Sequence, residues 1–229
     1  GFLFGRLFFL DMLLIGFLLT AKFPRREGFF WRAPAAVVGC LLASVAWTTL
    51  FKTESGTVIP LRMLLATFNY LGAFFLVLGA LAFCTQIEGW TYAYLGAMMW
   101  FTQQAANGLD FMFQFGFGNS WKGFATHLCI ILLVSAGVYW GVSWQLDVQV
   151  LRRMPLNKVA GIWFLMCLGC LELNAYASDS NQTSTAYYLA VLLLDLLGLL
   201  YQKSLYQFAG LERENESIQM LLAQGDKQY

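Results

Sequence analysis

The chain has 229 residues, of which 59% are hydrophobic, 17% aromatic and only 12% charged, with a net charge of +1. A soluble domain carries roughly a quarter charged residues, so the supply here suits a chain that hides its surface from water in a bilayer. The near-neutral balance and the lack of a basic helix exclude a nucleic-acid partner.

The apolar runs predict an all-α, polytopic membrane bundle of seven transmembrane helices, at about 3–21, 34–51, 60–84, 90–113, 123–144, 158–177 and 186–208. Each approaches or exceeds the roughly 20 residues that cross a hydrocarbon core. The first run is followed by "AKFPRR" rather than by a small-residue cleavage site, so it reads as a span and not as a cleaved signal. Gly1 stands where an initiating Met would, which leads us to expect residues before it. Pro34 and Pro60 fall in predicted first turns, where a missing N–H costs little.

Loop charge sets the direction. Lys22, Arg25, Arg26 and Arg32 occupy the first loop, and Arg152, Arg153 and Lys158 the fifth. The alternate loops are poorer in base: "KTESGTVI" holds Lys52 alone and "ASDSNQTST" none. Positive loops stay cytoplasmic, so the N-terminus is expected outside and the C-terminus inside. Trp31, Trp90, Trp121 and Trp144 sit at predicted span ends, as an interfacial aromatic belt would.

Polar residues interrupt the spans. Asp11 lies midway along the first, with Arg6 nearer the outside, and Asn69 lies in the third. On the fourth, Gln103, Asn107 and Asp110 recur at i, i+4 and i+7 and share a face. His127 is one turn into the fifth, Glu172 and Asn174 close the sixth, and Asp195 lies in the seventh. Intramembrane charges cost a few kcal/mol on insertion scales and normally face a bundle interior or a watery cavity. Taken one at a time, these groups read as hydrogen-bonding glue between helices, including an Arg6–Asp11 pairing. Taken together, their shared outer depth points to a ligand-binding polar pocket open to the outside. Its acid excess (Asp11, Asp110, Glu172, Asp195) suits a cationic or amine-bearing ligand.

The five cysteines (Cys40, Cys84, Cys129, Cys167 and Cys170) fall in or at the ends of apolar runs. Cys167 and Cys170 form a C-x-x-C without a second ligand pair, which favours packing over a metal site. His127 is the sole histidine, and Cys129, two residues on, points to another helix face. Gly137 and Gly141 form a GxxxG, a helix-packing signal. HExxH, GxSxG and P-loop patterns do not occur.

From 209 to 229 the character changes from the apolar bundle of 1–208 to a polar helix. Phe208, Leu211, Asn215, Ile218, Leu222, Gly225 and Tyr229 are spaced 3, 4, 3, 4, 3, 4, which is a heptad seam. Asn215 takes an a position, where an Asn selects a parallel dimer, and Gly225 weakens one d position.

Three stretches carry a family resemblance: "FPRREGFFWR", "GWTYAYLGAMMWFTQQAANGL" and "LERENESIQMLLAQGDKQY". They resemble the membrane portions of bacterial GHKL-type sensor histidine kinases, relatives of peptide-pheromone receptor kinases. Glu214, Asn215, Leu221, Gln228 and Tyr229 fit the family's linker wording. The resemblance implies a sensor in the bacterial cell membrane that detects an extracellular ligand such as a small peptide. It also implies a parallel homodimer, a cytoplasmic response regulator as partner, and a kinase region beyond Tyr229 that would bring ATP and magnesium. The residues in hand carry no catalytic motif and call for no cofactor of their own. Gln103 and Gln104 stand where the family often has Gln followed by His, so a role tied to that histidine does not transfer. A transporter or channel that moves protons or cations through the buried acids is the alternative. An intramembrane peptidase built on His127 and Cys129 is a third reading.

Overall fold

A computed structural model describes residues 4–50, 59–87, 90–113, 121–152, 154, 159–163 and 185–225. Among these the architecture is all-helical, and the sole extended pairing is an isolated bridge between Arg25 and Thr85. The helices are α1 (Phe4–Leu19), α2 (Phe29–Leu50), α3 (Ile59–Cys84), α4 (Trp90–Phe113) and α5 (Trp121–Gly141). A 3-10 turn (Ser143–Gln145) and the short α6 (Val148–Arg152) follow, then a helical stretch at 159–163 (α7) and α8 (Thr185–Gly225).

Among the described residues, three segments are long and apolar enough to cross a membrane: Phe29–Ala46, Trp121–Gln145 and Leu189–Gln224. Shorter apolar helical stretches run Phe9–Leu19 and Leu71–Cys84. The long segments show large apolar side chains outward, including Leu42, Leu133 and Leu197, whose natural solvent is lipid. α4 is the inverse case. Nearly every side chain from Tyr94 to Phe101 is buried, because α1, α5 and α8 all pack on it. A helix enclosed by its neighbours can carry Gln103 and Asp110 without showing them to lipid, which explains its broken apolar pattern.

Glycines permit the tightest approaches. A Cβ on Gly198 of α8 would come within 2.7 Å of the Phe101 ring of α4, and one on Gly16 of α1 within 2.5 Å of Leu81 of α3. Gly137 and Gly141 have no neighbour within 4 Å of such a Cβ, so the GxxxG of α5 packs on nothing described within the chain.

Most helix bounds match the apolar runs, and two differ with a reason. α2 begins at Phe29, five residues before Pro34, because Gly28 supplies the turn. Gly28 adopts φ 74, a left-handed conformation that suits glycine, and its carbonyl accepts the N–H of Trp31 and of Arg32. Pro34 therefore lies inside the helix, beyond the first turn. The second difference is α8, a single helix of 41 residues that crosses the expected 208/209 boundary without a break. At 1.5 Å per residue it is about 60 Å long, twice the hydrocarbon thickness. Of the sixth predicted span only 159–163 are described, so Glu172, Asn174, Cys167 and Cys170 lie outside the described residues.

One end of the bundle is tied together by the basic first loop. The Arg26 N–H donates to the Cys84 carbonyl, its Nε to Thr85, and Arg32 Nη1 to Phe83, so cations cover the C-terminal end of α3. Lys22 Nζ donates to the Trp144 carbonyl at 2.7 Å. Burial pulls the Lys22 ammonium below its ordinary pKa, and the nearby Asp147 carboxylate offsets part of that. The Ser143 hydroxyl donates to the Leu19 carbonyl and fixes the 3-10 turn after α5 to the end of α1. On the α8 side, the Tyr206 hydroxyl donates to Gln145 O and accepts the Asp147 N–H, while Arg213 Nη2 donates to Gln149 Oε1.

A candidate functional site: the buried Asp11–His127–Asp110 cluster

Three helices each contribute one titratable side chain to a common point. His127 of α5 sits between two carboxylates, with Nδ1 at 2.8 Å from Asp110 Oδ2 of α4 and Nε2 at 3.0 Å from Asp11 Oδ2 of α1. All three residues are buried, at 7% exposure for Asp11, 5% for His127 and 3% for Asp110. Asp11 thus pairs with the imidazole; the Arg6 side chain, expected to pair with Asp11, lies outside the described residues.

The contacts fix the proton count. Each short N···O approach needs one proton between its two lone-pair atoms, and a neutral imidazole carries only one N–H. Two gaps therefore require either an imidazolium or a protonated carboxyl on one side. With both carboxylates ionised the cluster is a buried anion of charge −1, and with one more proton it is neutral. The arrangement locks α1, α4 and α5 at one level. Both ring nitrogens are spent on carboxylates, which leaves the imidazole no lone pair for a metal. Among the described residues no group of His, Cys, Asp and Glu is arranged to hold one.

The other expected site residues are spread along the bundle. Gln103 is buried two turns below Asp110 on α4, and its Oε1 accepts from Gln104 Nε2 at 3.0 Å. Asn107 lies between them, half-buried. Asn69 is in α3, with its side chain outside the description. Asp195 is buried on α8, and its Oδ2 has no hydrogen-bond partner among the described residues. Cys129 is exposed while His127 is buried, so the two point apart as their spacing implies, against a Cys–His nucleophile pair.

The described residues also hold a polar couple not anticipated from the sequence. The Tyr94 hydroxyl of α4 donates to the Gln202 carbonyl of α8 at 2.6 Å, and Gln202 Nε2 returns a bond to the Tyr94 carbonyl at 3.2 Å. Gln202 was legible as a polar residue near the end of an apolar run, a place where polar residues are common and uninformative.

No family model, curated protein or solved structure matches this chain.

α8 carries two opposed stripes. Leu192, Asp195, Leu199 and Gln202 are buried against the bundle, and the same stripe continues through the contacts of Tyr206 and Arg213. The seam residues Leu211, Asn215, Ile218 and Leu222 follow that stripe by about two positions, or roughly 200° of helix rotation, and are exposed. Phe208 is exposed on the same side, and Leu194, Leu197 and Tyr201 extend that stripe back into the apolar part of the helix.

Proposed function

We propose that this chain is the multi-pass membrane sensor portion of a GHKL-type histidine kinase. In this reading it has seven spans, an outside N-terminus, and an α8 that leaves the bilayer as a parallel dimeric coil. The observation that carries the reading is the continuity of α8. One unbroken helix holds Asp195 and Gln202 inside the bundle and then presents Leu211, Asn215, Ile218 and Leu222 on a face turned away from its own chain. A rigid helix with one stripe in the bundle and the other free for a twin can pass a shift of the bundle to whatever follows. The resemblance in the tail supports the same reading, with an extracellular peptide or small molecule as input and a cytoplasmic response regulator as the eventual recipient.

Crosslinking in native membranes tests it. Cysteines placed singly at Leu211, Asn215 and Ile218 should form disulfide dimers readily, and one at Arg213, which faces Gln149 of its own chain, should not. Uniform crosslinking at all four positions, or at none, refutes the paired seam. A proton- or cation-moving role is the second reading, favoured by the unpartnered buried Asp195 Oδ2. It predicts cation or proton flux in proteoliposomes that Asp195→Asn abolishes.

A further inference from the structure

The first loop commits most of its cations to backbone carbonyls. Lys22, Arg26 and Arg32 each donate to the end of a helix or helical turn. Arg25 does not. Its guanidinium lies over the Phe29 ring at 4.4 Å and has no hydrogen-bond or ion-pair partner among the described residues. A guanidinium stacked on an aromatic face keeps its edge donors free for a planar or tetrahedral oxyanion.

Arg25, an exposed residue, is one of those that line a cavity of about 220 Å³ between the end of α1, the start of α2 and the end of α3. Thr20 and Thr85 line it with Arg25, while Phe17, Phe29 and Ala33 form apolar walls. Both threonine hydroxyls donate to carbonyls one turn back, Gly16 O and Leu81 O, and Thr85 Oγ1 also meets the Tyr92 hydroxyl at 3.0 Å, so neither threonine offers its proton to a ligand. The first turn of α2 forms one wall and adds the positive end of its dipole. The volume is below the roughly 300 Å³ at which sites for whole drug-sized ligands begin, so a headgroup-sized fragment fits and a larger metabolite does not.

We propose that this cavity is a binding site for a phosphate group, held by Arg25 and flanked by apolar walls that accept the carbon skeleton attached to it. A phosphodiester lipid headgroup and a soluble phosphate share this chemistry. Arg25 also pairs its backbone with Thr85 across the isolated bridge, so the site sits where the α1–α2 loop meets the end of α3.

The test uses the whole chain in nanodiscs of phosphatidylcholine with or without phosphatidylglycerol, followed by native mass spectrometry of the released protein. The wild type should retain one phospholipid, because the phosphodiester the site recognises is common to both lipids. Arg25→Ala should lower that occupancy about tenfold, the loss expected of a single charge-assisted contact. Ala33→Leu, which fills the cavity and leaves the charge intact, should do the same. Arg213→Ala removes an arginine outside the cavity and should leave occupancy unchanged. If the lipid is not retained but millimolar inorganic phosphate raises the melting temperature of the wild type and not of Arg25→Ala, the site belongs to a soluble phosphate. Retention of the lipid by both Arg25→Ala and Ala33→Leu, an equal loss in Arg213→Ala, or no response to either probe overturns the proposal.

Discussion

Removing the imidazole from the Asp11–His127–Asp110 cluster isolates what the buried charges contribute to the fold. His127→Ala leaves two carboxylates facing a small void at 7% and 3% exposure. Were the cluster merely two interhelical hydrogen bonds, each worth about 0.6 kcal/mol in a membrane protein, the loss would be roughly 1 kcal/mol. An ion cluster behaves differently, because breaking a buried charge pair from one side strands an uncompensated charge and costs about 3–5 kcal/mol. The two N···O gaps of 2.8 and 3.0 Å fit an imidazolium between two carboxylates and equally a neutral imidazole beside one protonated carboxyl, and the size of the loss separates the two. The triple variant Asp11→Asn, His127→Gln, Asp110→Asn removes every charge while keeping shape, and should recover to within about 1.5 kcal/mol of the wild type. Unfolding in mixed micelles, followed by circular dichroism, measures both, with Cys129→Ala on the exposed face of the same helix as control. A cost of about 1 kcal/mol or less for His127→Ala, or a triple variant as unstable as the single one, refutes the ionic reading.

Other outcomes follow from the packing. Gly198→Ala should cost about 1–3 kcal/mol in the same unfolding assay, because the new methyl meets the rigid Phe101 ring, whereas Gly137→Ala should be neutral or slightly stabilising. Tyr94→Phe removes the 2.6 Å bond to Gln202 and should cost about 0.6–1.7 kcal/mol, read as a shift in the micelle midpoint. Arg26→Ala should loosen the loop against the end of α3 at a cost of about 0.3–1 kcal/mol, seen as faster protease cleavage between Lys22 and Gly28.

Direct reading of the sequence went far where the physics is one-dimensional. The bounds of α3 and α4 lie within a residue of the apolar runs, because lipid demands continuous apolar length and the chain supplies it in blocks. The start of α2 was missed because Gly28 gives a left-handed turn that no periodicity announces, and Pro34 was read as the first-turn signal in its place. The inward face of α4 was legible from the i, i+4, i+7 spacing of Gln103, Asn107 and Asp110. The partnership of Asp11, Asp110 and His127 was not, since each lies on a different helix and only the bundle's packing order decides which polar groups meet.

That packing order gives α4 a particular position. Its two polar anchor points, Asp110 with the cluster and Tyr94 with Gln202, are 16 residues apart, roughly 24 Å along the helix. Between them Phe101 fills the notch at Gly198, a contact of rigid ring against backbone that resists sliding. α1 and α5 therefore hold α4 at one end, and α8 is gripped at the middle and the other end. The Phe101 ring, the Tyr94 hydroxyl and the Gln202 amide thus couple the position of α8 to that of α4. If α4 is the transmitting element, Gly198→Ala should alter the crosslinking yield at Asn215→Cys although the two positions are 17 residues apart on α8, about 25 Å. Gly137→Ala, on the open face of α5, should leave that yield unchanged. Equal yields in both backgrounds would assign the Phe101–Gly198 contact to stability alone.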